Sequence, residues 1–72
     1  MLKPEIEKRF GPYKQPTEKD VERHTELREA CLKLAHIIDR VCPESREKAS
    51  ALTELMMVRM FASASVAIHG GE

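Results

Sequence analysis

The stretch that most constrains this chain runs from Leu52 to Ile68, LTELMMVRMFASASVAI. Between Leu55 and Ile68, eleven of fourteen residues are apolar and the only charge is Arg59. Three Met, several Ala and no Pro or Gly suit a helix. A surface helix of a lone small domain shows one apolar stripe. Here Leu52, Met56, Met60, Ser63 and Ala67 follow one line at helical spacing, and Leu55, Val58, Ala62 and Val66 follow another. The helix is apolar over more than half its circumference, so one partner helix cannot cover it. The expectation is that it packs against its own chain on one side and against other copies on another. A membrane span is the rival reading. Crossing a bilayer takes about 20 apolar residues, whereas this run is shorter and holds Arg59 near its middle.

Seventy-two residues make one domain at most, and chains this small bury a modest share of their surface. They usually need disulfides, metal or partners. If one helix held both Cys31 and Cys42, they would lie about 16 Å apart along its axis, too far for a disulfide. Free thiols point to a reducing compartment. The N-terminal MLKPEIEKRF lacks the apolar core of a secretory signal. Twelve basic and twelve acidic residues argue against a protein that coats long nucleic acids. They leave room for a small anionic ligand, which needs only local positive charge. All charges but Glu54, Arg59 and Glu72 lie in the first fifty residues. The front of the chain is expected to be wet and the back buried.

Pro4 suits a first helical turn, with Glu5 and Glu7 near its positive end, so a short helix is expected over residues 4–9. The loop over 10–16 holds Gly11, Pro12 and Pro16, which break helix, and two of the three aromatic residues, Phe10 and Tyr13. Thr17 is an N-cap followed by Glu18, Lys19 and Asp20, and opens a helix over about 17–41. Within it Leu27, Cys31, Leu34, Ile38 and Val41 are spaced four, three, four, three, a coiled-coil-like seam. Ala35 and Ile37 widen it. Pro43 ends this helix, Ser45 caps the next, and Gly70-Gly71 stop that one near His69. The expected fold is all-α: a short N-terminal helix plus an antiparallel two-helix hairpin, helices about 17–41 and 45–69, assembled as a homo-oligomeric bundle.

Candidate chemistry is sparse. His24, His36 and His69 with Cys31 and Cys42 fit no standard zinc spacing. There is no Ser-His-Asp order, phosphate-binding glycine loop or carboxylate cluster. The methionines read as core filler. No catalytic residue, metal or cofactor is expected. The loop from Phe10 to Lys14 resists a purely structural account. Phe10 alone reads as a core plug, but Tyr13 beside Lys14 offers an aromatic face next to positive charge, as a nucleobase and its phosphate require.

The pattern Tyr13-x-x-Pro16-Thr17-Glu18, the later Leu27-Arg28, and above all Pro43-Glu44-Ser45-Arg46-Glu47-Lys48-Ala49-x-Ala51-Leu52-Thr53-x-Leu55 resemble the phage-encoded anti-CBASS type 2 proteins. These share a small helical-hairpin domain with one class of anti-Thoeris proteins. The resemblance covers residues 9–68. It implies a sponge rather than an enzyme: a protein in the cytoplasm of the infected bacterial host that sequesters cyclic dinucleotide messengers such as cGAMP. Family members assemble as hexamers with sites between protomers, and some hold cyclic trinucleotides at separate sites. By similarity Tyr13 stacks on a base and Arg28 pairs with a phosphate, with Phe10 and Lys14 on the same loop. Relatives commonly carry acidic residues after the ALTxL run and a Trp-Ala-Asn segment followed by a terminal Arg. Here Met56-Met57, Phe61-Ala62-Ser63 and Ile68 stand instead, so no residue is carried over to a trinucleotide site. Residues alone leave a second reading, an adaptor hairpin that binds a protein through its apolar second helix.

Overall fold

The computed structural model describes residues 2–11 and 15–71, and all regular structure among them is helical. Helix α1 spans Lys3–Phe10, α2 spans Glu18–Val41 and α3 spans Arg46–His69. Pro4 sits in the first turn of α1, and Lys8 and Arg9 in its last. Phe10 closes this helix instead of opening the loop, because the helical bonds run on until Gly11 N–H donates to Glu7 O at 2.9 Å. Glu5, Lys8 and Arg9 of α1 share a groove with Phe61, Ala64 and Ile68 of α3.

Helices α2 and α3 form the hairpin. Thr17 caps α2 through a reciprocal box: its Oγ1 accepts from Asp20 N, and Asp20 Oδ2 accepts from Thr17 N, both at 3.1 Å. Ser45 caps α3 by accepting from Lys48 N at 3.1 Å. The two residues between these helices' caps are Pro43 and Glu44, and Pro43 cannot continue α2.

The only buried residues, among those described, are charged: Asp20, 2% exposed, and Lys48, 7% exposed. Each pins one end of the hairpin. At the turn, Lys48 Nζ donates to Asp39 O at 3.0 Å and to Glu44 Oε1 at 2.5 Å, and meets Asp39 Oδ1 at 3.1 Å. Its three protons are thus all placed, and one satisfies a carbonyl that the end of α2 leaves open. At the open end, Asp20 Oδ1 accepts from Arg23 Nη1 and from Gly71 N–H, each at 2.9 Å, while Arg23 Nη1 also donates to Gly71 O at 2.8 Å. Gly71 has φ 135°, open to glycine but strained for other residues. A Cβ on Gly70 would run into Asp20 Oδ1 and Val66 O. The glycines that stop α3 therefore also let the chain close onto α2. These two pins, Lys48 to Asp39 and Gly71 to Asp20, show that the helices run antiparallel.

Between the pins, the contact line of α2 is His24, Leu27, Cys31, Ala35 and Ile38, all half-buried. The expected seam drifts: Leu34 and Val41 turn outward, 45% and 62% exposed. A straight helix at 3.6 residues per turn cannot hold a 3.5-residue repeat on one line, so the contact steps from Cys31 to Ala35. On α3 the line is Leu52, Leu55, Ala62 and Val66, with Arg59 at the intervening position. Cys31 and Cys42 are free thiols, and Cys42 lies just past the end of α2.

No apolar side chain among the described residues is fully buried. The expectation that the back of the chain is covered fails within one protomer: Met56, Val58, Met60 and Phe61 are exposed, Phe61 by 69%. The cause is shape. The molecule measures 45 × 30 × 13 Å, and 13 Å is about the thickness of one helix. A single layer encloses no core. Its radius of gyration is 15.4 Å, against roughly 11 Å for a compact chain of this length. Its accessible surface is 6070 Å², roughly 1500 Å² more than a compact monomer of its mass exposes.

Length does not separate α3 from a membrane span. With 24 residues and a mean hydropathy of 1.4 over its most apolar window, it is long and apolar enough to cross a bilayer. Charge opposes a span: α3 carries Glu54 and Arg59 in its apolar stretch, and charges inside a bilayer are costly.

Replacing Asp20 with Ala removes a cap and the anchor of Gly71. Urea unfolding should show a loss of about 1–3 kcal/mol. Lys48 binds its proton more tightly than the ordinary 10.5, chiefly through its hydrogen bond to Glu44, with Asp39 adding to it and burial opposing it. Its contribution is therefore complete below pH 10.5 and is lost as pH climbs through the raised value. Alkaline denaturation curves should be steeper for the native chain than for Lys48→Met.

Candidate functional site

The α2–α3 pair leaves a groove on one flank, about 340 Å³ in volume, lined by Arg28, Cys31, Leu32 and Ala35 from α2 and by Leu52, Leu55, Met56 and Arg59 from α3. Both sets have the spacing i, i+3, i+4, i+7, which places four side chains on one face of a helix. Since the helices are antiparallel, Ala35 lies towards Leu52 and Arg28 towards Arg59. Both arginines stand at the same end of the groove, and the rest of the lining is apolar apart from the Cys31 thiol.

Among the described residues, neither arginine has a hydrogen bond or an ion pair. Elsewhere the chain pairs several of its cations. Arg9 Nε meets Glu5 Oε1 at 3.1 Å, Arg23 meets Asp20 at 2.9 Å, and Lys48 meets Glu44 at 2.5 Å. This distinguishes the groove from two others. The cleft of about 410 Å³ at the open end is lined by Arg23, Ser65, Val66, His69, Gly70 and Gly71, and its Arg23 is already committed to Asp20 and Gly71. The groove between α1 and α3 carries Glu5 beside Lys8 and Arg9, so its positive charge is partly cancelled.

The structure treats the four expected site residues differently. Arg28 lines the groove. Phe10 does not; it stands 79% exposed at the end of α1. It is therefore not a core plug within one protomer, because the one-layer fold provides no core at that end. Tyr13 and Lys14 lie outside the described residues. Sequence reasoning missed Arg59 as a groove residue. Its signal was visible, a lone charge in an apolar run, but it entered only as an argument against a membrane span. It also missed that Asp20 reaches the far end of the chain.

Among the described residues no three His, Cys, Asp or Glu side chains gather to hold a metal. Two uncompensated guanidinium groups over an apolar floor suit a ligand with anionic oxygens and flat, weakly polar faces.

The family model described as "Acb2/Tad1, hairpin domain" matches residues 3–67, all but a few residues at each end. No curated protein and no solved structure matches the chain. On that match, the chain belongs to the Acb2/Tad1 hairpin-domain family, whose members are anti-defence sponges for cyclic oligonucleotide messengers.

Proposed function

We propose that this chain assembles as a homo-oligomer, a hexamer by resemblance, and sequesters cyclic dinucleotides such as cGAMP in the cytoplasm of the infected bacterial host. The messenger is held intact, and its removal blocks activation of the CBASS effector. The observation that carries this reading is Arg28, without a counter-charge among the described residues, at the edge of an apolar groove. A phosphate supplies the missing anion, and the apolar wall accepts a ribose or base face.

The energetics suffice without a reactive group. A charge-assisted hydrogen bond to phosphate contributes about 1.5–3 kcal/mol. A base stacked on an aromatic ring, the role that resemblance gives to Tyr13, contributes about 1–3 kcal/mol. A two-fold ligand between two protomers uses each contact twice. The sum reaches the ~8 kcal/mol of a micromolar complex, and a rigid assembly that pre-forms its pockets loses little of it to ordering. Self-association has its own support. The excess exposed surface of one protomer, roughly 1500 Å², is about twice the roughly 800 Å² that each partner buries in a standard stable interface. The exposed Met56, Val58, Met60 and Phe61 are what such an interface would cover.

The same apolar flank also favours the second reading, an adaptor that docks a protein partner. The two differ in what the purified chain does alone. A sponge runs as a closed oligomer in light scattering and leaves no large apolar patch; an adaptor runs as a monomer or simple dimer.

Arg28→Ala should weaken binding of cyclic dinucleotides by about ten- to a hundredfold in calorimetry, and Tyr13→Ala by a similar factor, while the oligomer survives. Unchanged affinity in both variants would reject the site. Ligand recovered after heat denaturation should chromatograph as the intact cyclic messenger; a linear product would mean an enzyme.

A further inference from the structure

The residue that the family resemblance leaves without a role is Arg59. We infer that Arg59 forms, with Arg28, a two-cation clamp on the phosphates of the messenger. This rests on the groove being the messenger site.

Arg59 holds a position that a helix pair normally fills with an apolar side chain. The line Leu52, Leu55, Arg59, Ala62, Val66 is spaced three, four, three, four along α3, and its other members are half-buried against α2. Arg59 itself is exposed, so its guanidinium group is open to a ligand at the mouth of the groove. The sequence supplies no local counter-charge. A helical ion pair needs an acid three or four residues away. Around Arg59 those places hold Leu55, Met56, Ala62 and Ser63; around Arg28 they hold His24, Thr25, Cys31 and Leu32. The chain has twelve acidic residues, and none of those described lines this groove.

The tertiary structure brings the two arginines to one groove. The antiparallel register turns Arg59 towards Arg28, so two like charges stand at one end of an apolar slot. Any association that covers the neighbouring Met56 would withdraw water from them and raise their repulsion. One phosphate between the two guanidinium groups, or one at each, removes the repulsion and supplies hydrogen-bond acceptors to both. The arginine fork suits this better than an ammonium, because it meets two phosphate oxygens at once. The groove volume of about 340 Å³ lies in the range of small-molecule sites.

The test compares the native chain with Arg59→Met and Arg59→Lys, by thermal unfolding without ligand and by titration with cGAMP over a range of salt. Arg59→Met should unfold at a similar or higher temperature, because an exposed arginine with no partner among the described residues contributes little to the fold. Its affinity should fall by at least about tenfold, and its dependence on salt should weaken, because one screened cation–phosphate attraction is lost. Arg59→Lys should keep the salt dependence and recover part of the affinity. If Arg59→Met binds as tightly as the native chain with the same salt dependence, the clamp is wrong while the proposed function stands. If Arg59→Met melts well below the native chain, the residue is structural and the inference fails. If the native chain binds no cyclic dinucleotide, clamp and proposed function fall together.

Discussion

The hairpin depends on two buried charges, one at each end. In most small domains an apolar core sets how helices lie on one another, but here no apolar side chain among the described residues is fully buried. Lys48 ties the start of α3 to the end of α2, and Asp20 ties Gly71 to the start of α2. Buried charged groups are tolerated when every proton or lone pair finds a partner. Lys48 places all three protons, and Asp20 accepts bonds at both oxygens. Directional bonds at both ends allow one register, whereas the loosely apolar middle would tolerate sliding. That register brings Arg28 level with Arg59.

A one-layer fold has consequences for both stability and binding. Three helices in a slab 13 Å thick leave apolar surface on the flanks, which is a cost in water. The same openness provides grooves between helices, with walls of Leu and Met and rims of arginine. In the proposed assembly the two features are one: neighbouring copies cover the flanks of α3 and turn shallow grooves into enclosed pockets. A sponge has no chemical step to arrange. It needs pre-formed complementarity and slow release, and uncompensated cations on a rigid scaffold supply the first directly.

The sequence was most informative where the physics is local. Thr17, Ser45, Pro43 and Gly70 mark helix ends because caps and breakers act within a few residues, and the helices begin and end beside them. Phe10 shows the limit, since nothing local separates the last helical residue from the first loop residue ahead of Gly11. Arg28 was reached through a family motif and lies in a groove. Arg59 was seen but its partner across the groove was not, because a groove takes half its residues from each of two distant stretches. The seam was right at Leu27, Cys31 and Ile38 and wrong at Leu34 and Val41, where a small drift in helical phase turns a side chain from contact to solvent.

By itself, the sequence determined that the chain is helical, where its helices end, that the last one is too apolar all round for one partner, and which family it belongs to. Those properties depend on propensity, capping and composition, which act over a few residues or over the whole chain at once. Only the tertiary structure decided that Asp20 and Lys48 are buried while Phe61 is exposed, and that Arg28 and Arg59 face one groove with no counter-charge among the described residues. These follow from the register between two helices, and directional bonds between residues up to 51 positions apart set that register.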